Sequence, residues 1–293
     1  MFAAVLMGGM LRPLTLIVFV LSMAGHAAAQ AGSDYPWLPE ASDPRTALSD
    51  RISPPDGWQR EPIEEGSFAA WLRGLPLMPD GSPVLLHDGG RKGRQDVHVA
   101  VVDVDVGTRD LQQCADAVMR LRAEYLFAAG RADEVHFNFT SGDEARWDRY
   151  RQGYRASVKG NDVSWPRRAE PDASHASFRR YLDLVFTYAG THSLSKELDP
   201  VDDPAAVRAG DVFIQGGFPG HAVLVVDTAV NPATGERAFL LVQSYMPAQQ
   251  IHLLKAPGSP LGAWYPAAVG DTLATPEWVF APSDLRRFPA ATE

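Results

Sequence analysis

The chain has 293 residues, 45% hydrophobic and 22% charged, a balance that can bury a core and excludes an intrinsically disordered polymer. Its formal net charge of −9 argues against nucleic acid or anionic lipid as a general partner. Cys114 is the sole cysteine, so an internal disulfide is excluded as well.

Met10-Leu11-Arg12, the apolar run over 14–21 and Ala27-Ala28-Ala29 read as a secretory signal peptide over residues 1–29, with cleavage after Ala29 or Ala31. The mature protein is therefore expected to be periplasmic or secreted. The run is too short, and too rich in small residues at its end, to be a membrane span. No later segment approaches ~20 apolar residues, so no span is expected in the mature chain. Residues 30–66, rich in Pro, Asp and Glu with Tyr35, Trp37 and Trp58 among them, predict an extended arm on the surface. Residues 67–293 are expected to form one domain, since neither a repeat nor a long linker divides them.

Within that domain, Ser67 to Leu72 opens a short amphipathic helix, and residues 96–106 alternate as a strand with His98, Ala100, Val102 and Val104 on one face. Asp110 reads as a helix N-cap with Gln113 at the capping-box spacing. Leu111, Cys114, Val118, Leu121 and Tyr125 then recur on one helical face. A strand is expected over 134–139, a turn at Thr140-Ser141-Gly142, a polar helix over 143–154 and an amphipathic helix over 174–187. Strands over 211–214, 221–226 and 237–243 follow, and a Pro/Gly-rich tail with Trp264 and Trp278 begins at Pro257. This order predicts an α+β fold, helices packed on a largely antiparallel sheet.

The stretch GDVFIQGGFPGHAVLVVD, Gly210 to Asp227, sets His221 just after a Gly/Pro turn, at the mouth of an apolar run. It resembles papain-like cell-wall hydrolases of the NlpC type, where Gly-Asp opens one strand and a histidine opens the next. That resemblance implies a papain-like arrangement and a fixed order of groups: a cysteine at a helix N-terminus, a histidine at a strand start and a polar residue on the following strand. Here the order is supplied by Cys114, His221 and Gln243, with Asp227 a second candidate to orient the imidazole and Gln112 or Gln113 a candidate oxyanion donor. The mature chain also resembles a family of exported bacterial proteins described as domain of unknown function 4846, through DLQQCADAVMRLRAEYL, FNFTSG, PGHAVLVVD and QSYMPAQ. No established chemistry comes with that family.

Two functions follow as expectations. The first is a thiol hydrolase needing no cofactor, acting on an amide or acyl bond in cell-wall peptides or another envelope substrate. A thiol becomes nucleophilic when an imidazole and a helix N-terminus lower its pKa. The second is a non-catalytic envelope binding or scaffold protein with a papain-like shell, in which Cys114 is an inert core thiol on the stripe of Leu111, Val118 and Leu121. His221 would then bond a backbone carbonyl, Gln243 would satisfy a sheet edge and Asp227 would end a strand. The resembling hydrolases carry the nucleophile at the first helical position, whereas a cap at Asp110 sets Cys114 deeper, where the helix dipole fades. Asp103, Asp105, Gly107 and Asp110 resemble the opening of a calcium loop but lack its third acidic position and distal glutamate, so no metal is expected. Trp71, Trp147, Trp165, Trp264 and Tyr245 suit either sugar stacking or a core.

Overall fold

Residues 222–226 are apolar without alternation because both faces of the strand that carries them are covered. The computed structural model describes residues 34–38 and 43–290, together with Met1. Apart from Met1, the predicted signal segment lies outside the described residues. Strand His221–Val230 runs through the middle of an antiparallel sheet that has nine strands among the described residues. Its neighbours are Arg237–Gln243 on one side and Val212–Gln215 on the other. Beyond Arg237–Gln243 come His252–Leu254 and then His98–Val101; beyond Val212–Gln215 come Leu285–Arg287 and Asp199–Pro200.

Ala222, Leu224 and Val226 point into the larger core, beneath helices Phe68–Arg73 and Cys114–Ala128. Val223 and Val225 point the other way, with Phe213, Phe239 and Leu241, onto Tyr265, Leu273 and Phe280 of the C-terminal segment. A strand buried on both faces needs a continuous apolar run, and this one has it. The α+β class, with helices on an antiparallel sheet, is what the structure shows. No helix among the described residues is long and apolar enough to cross a membrane.

Several elements differ from the sequence reading. Residues 34–38 and 43–66 are more than a surface arm: Tyr35 and Leu48 are in the core, and Gln59–Arg60 pairs with the far end of the His221 strand. Residues 143–154 hold a strand, Glu144–Arg146, and a short helix, Trp147–Arg151, in place of one polar helix. Gly142, at φ +94, reverses the chain so that Glu144–Arg146 pairs with His136–Asn138. A hairpin, Ser157–Lys159 with Asp162–Ser164, and a helix, Thr191–Glu197, had no clear periodic signal.

The correction that matters most concerns the helix of Cys114. It begins at Cys114 itself, with Gln113 as N-cap, rather than after Asp110. The Gln113 backbone N–H donates to the carboxylate of Asp116 at 3.0 Å, the N3 half of a capping box. Asp110 is engaged elsewhere: its Oδ1 accepts the Ala248 N–H at 2.6 Å and the Gln113 side-chain amide at 3.1 Å. A long-range contact had taken the carboxylate that local spacing assigned to the cap.

Candidate functional site

Because the helix starts at Cys114, the thiol sits at its first position, where backbone N–H groups have no intrahelical partner. This end of the helix meets the start of the His221 strand. Backbone N–H groups of Ala115, Ala222 and Cys114 favour the sulfur's anion. Burial outweighs them: the side chain is only 9% exposed, and with nearby Asp116 adding to the effect the thiol is pushed up to about 11. The helix start lowers a thiol pKa, burial raises it, and burial wins here.

His221 and Gln243 lie out of phase with Ala222 and Val242, so both project from the sheet face covered by the C-terminal segment. The His221 ring is packed against Tyr245 at 4.9 Å, Trp278 at 5.2 Å and Phe280 at 5.9 Å between centroids. Trp278 is held in turn by its indole N–H, which donates to Gln215 Oε1 at 3.0 Å. Enclosure lowers the imidazole pKa to about 4, against an opposing hydrogen bond from Gln243. The ring is neutral across the physiological range.

The hydrogen bonds of Gln243 fix the tautomer of that ring. Its Nε2 donates to Glu277 Oε2 at 2.7 Å, and the other Glu277 oxygen accepts from Lys92 Nζ at 2.8 Å. Its second N–H faces His252 Nε2 at 3.3 Å, while His252 Nδ1–H donates to the carbonyl of Gln250 at 2.9 Å. With both N–H groups of the amide committed, Oε1 must be the atom facing His221. It lies 2.9 Å from His221 Nε2, which therefore carries the proton. His221 Nδ1 is left with its lone pair and bonds no group among the described residues. Neither does the Cys114 sulfur hydrogen-bond the ring. Tyr245 borders the ring, which packs on it at 4.9 Å; burial raises its phenol pKa, with Glu277 and then Cys114 adding to the effect.

Of the residues named from sequence, the structure thus brings Cys114, His221 and Gln243 to one end of the sheet. Asp227 does not join them. It lies farther along the same strand, ~20 Å away at ~3.3 Å per residue. Its carboxylate is fully buried between Arg60 and Arg73, each at 2.7 Å. The assignment of Asp227 as an orienter is corrected: it anchors the N-terminal segment and helix Phe68–Arg73 to the sheet. Gln113 as an oxyanion donor is weakened, since its amide donates to Asp110. Gln112 is fully buried; its Oε1 accepts from Arg120 Nη1 at 3.1 Å and its Nε2 is unpartnered.

Asp105, part of the stretch that resembled a calcium loop, pairs with Arg120 at 3.1 Å and Arg179 at 3.6 Å. Of the aromatic candidates, Trp71, Trp147 and Trp264 are core residues, and Tyr245 alone stands at His221. Sequence reasoning missed Lys92, Glu277 and His252, whose polar types carried no local motif, and saw Trp278 only as part of the tail.

Searches of curated proteins and of solved structures each found no match. A family model described as domain of unknown function 4846 matches residues 48–287, more than half of the chain, and the chain belongs to that family.

Proposed function

We propose that this chain is an exported, papain-like thiol hydrolase acting on an amide or acyl bond, with cell-wall peptides as its substrate class. The observation that carries the reading is the Lys92–Glu277–Gln243 chain, which turns the amide oxygen of Gln243 toward His221 and so keeps the proton on Nε2. The bare Nδ1 belongs to the residue next to Ala222, whose amide N–H favours the Cys114 anion.

At rest both groups are neutral and not hydrogen-bonded to each other: the imidazole projects from the sheet face covered by the C-terminal segment, and the helix that carries the thiol covers the other. The reaction requires the two to meet at this end of the sheet; His221 Nδ1 then takes the thiol proton as the sulfur attacks the carbonyl carbon. Collapse of the tetrahedral species expels the amine or alcohol, which leaves with the proton carried by His221. Water then attacks the thioester, giving its proton to Nδ1 and restoring the thiol. The positive end of the helix favours the developing negative charge.

A second reading, a non-catalytic envelope binding protein, is favoured by the burial of the thiol and by the lack of a hydrogen bond between sulfur and ring. Digestion of purified cell-wall peptides by the mature protein separates the two. New amine or carboxyl ends, lost in Cys114→Ala and in His221→Ala, support the hydrolase. Intact peptides that are nevertheless retained by the protein support the second reading.

A further inference from the structure

Far along the Cys114 helix from the thiol, Arg122 lies partly buried among three aromatic rings. Its guanidinium carbon is 5.1 Å from the Phe68 centroid, 5.5 Å from Tyr125 and 5.2 Å from Phe288. Among the described residues no acceptor bonds it and no carboxylate lies in ion-pair contact with it; it feels the charge of Glu134, which is itself paired with Arg131 at 2.6 Å. Arginine offers five N–H donors; none of those of Arg122 is among the buried unpartnered nitrogens, so they reach solvent and are open to a ligand.

Arg122 forms one wall of a pocket of about 170 Å³ that Arg208 and Arg287 also line. The one carboxylate there, Asp211, is already engaged. It accepts Arg287 Nε at 2.6 Å, Arg287 Nη2 at 2.7 Å and the Arg208 backbone N–H at 2.8 Å. Among the described residues the guanidiniums of Arg122 and Arg208 make no hydrogen bond or ion pair with a carboxylate, on a chain whose net charge is −9. Gly210 lets the backbone pass directly over the floor of the pocket: at φ +98, a Cβ there would come within 3.0 Å of the Phe68 ring.

The geometry points to a binding site for a dianionic phosphate group, held by Arg122 and Arg208 with Arg287 beside them. Two unmatched guanidiniums suit a doubly charged oxyanion better than a monocarboxylate, and their planar forks match its oxygens in pairs. The rest of the ligand has somewhere to go. Arg122 and Phe288 also line an adjoining cavity of about 680 Å³, whose other walls carry Asp133, Glu134, Glu144 and Glu197 beside Arg146. A phosphate monoester whose body presents amino or hydroxyl donors to those carboxylates fits that pairing of pockets. The site is independent of the thiol chemistry proposed above.

The test is a thermal-shift titration of the mature protein with inorganic phosphate, against sodium chloride at matched ionic strength. The wild-type protein should show a saturable rise in Tm specific to phosphate. Arg208→Ala, an exposed position whose loss leaves the core intact, should weaken the apparent affinity about tenfold, the scale of one lost charge-assisted contact. Arg122→Gln should do the same. Co-sedimentation with vesicles containing phosphatidic acid, lost in both variants, would assign the phosphate to a lipid headgroup; phosphate binding without vesicle binding would assign it to a soluble ester. A Tm rise no greater than that given by chloride, or an Arg208→Ala protein that keeps the full phosphate response, would overturn the proposal.

Discussion

His221 donates from Nε2 to Gln243 Oε1 at 2.9 Å, and the amide that receives this proton is itself turned by Glu277. The direction of that bond makes Nδ1 the basic nitrogen. Nitrogen-15 NMR of histidine-labelled protein should therefore report the Nε2–H tautomer for His221. It should persist from pH 8 down toward the pKa of about 4 that burial imposes. Glu277→Ala frees the amide to rotate, and the signature should shift toward a tautomer mixture in the folded fraction, at a stability cost because Lys92 loses its buried partner.

Asp227 supplies a control at the other end of the same strand. Asp227→Asn removes the charge between Arg60 and Arg73 and should destabilise the protein by about 3 kcal/mol in urea unfolding, the usual cost of breaking a buried pair. Reactivity of Cys114 in the folded protein should not change. A loss of reactivity larger than the unfolded fraction explains would restore Asp227 to the site.

A buried ion pair ties the Cys114 helix to the rest of the core. Arg120 and Glu124 are both fully buried and meet at 2.7 Å, and Glu124 also accepts from His175 of helix His175–Tyr188 at 2.8 Å. Burial works against the Glu124 charge, yet Arg120 and His175 outweigh it and hold the carboxyl below its ordinary pKa. A depressed carboxylate stabilises the fold above the unfolded pKa and loses that contribution as pH falls through the folded one. Wild-type stability should thus drop below about pH 4.5. Arg120→Met, which strands the carboxylate, should cost about 3–5 kcal/mol at pH 7.

Glu197 titrates in the opposite sense. Burial raises its carboxyl to about 7, although the Asn138 N–H donates to it at 2.9 Å. The folded state therefore holds a proton that the unfolded chain releases near pH 4.5, and stability falls as pH rises from there to about 7. Glu197→Gln keeps the acceptor for Asn138 and removes the titration. It should match the wild-type protein at pH 5 and exceed it at pH 8 by on the order of 2 kcal/mol.

What could be read from the sequence follows from where each signal was local. Strands covered on both faces announced themselves as apolar runs, as in residues 222–226 and 238–242. The Cys114 helix was visible in its periodicity, but its start was not: Asp110 has the right spacing for a cap, and only the folded chain shows it bonded to Ala248, 138 residues away. The polar residues 143–154 lacked the alternation of a strand, because hairpin His136–Asn138 with Glu144–Arg146 buries little beyond Phe137 and Ala145. The order Cys114, His221, Gln243 could be seen in the chain. The groups that orient Gln243 could not, since Glu277 is 34 residues from it and 185 from Lys92.

The claim that Cys114 is a nucleophile served by His221 is tested most directly by the rate of iodoacetamide alkylation of the native protein across a pH series. With the thiol raised to about 11, the folded protein should react slowly near pH 7 and faster as pH rises toward that value. At neutral pH the reaction should depend on the neutral imidazole, so that His221→Ala slows it about a hundredfold, the lower end of the range of general-base assistance. A thiol that stays unmodified at every pH where the protein is folded, and reacts only after unfolding whether or not His221 is present, would contradict the account.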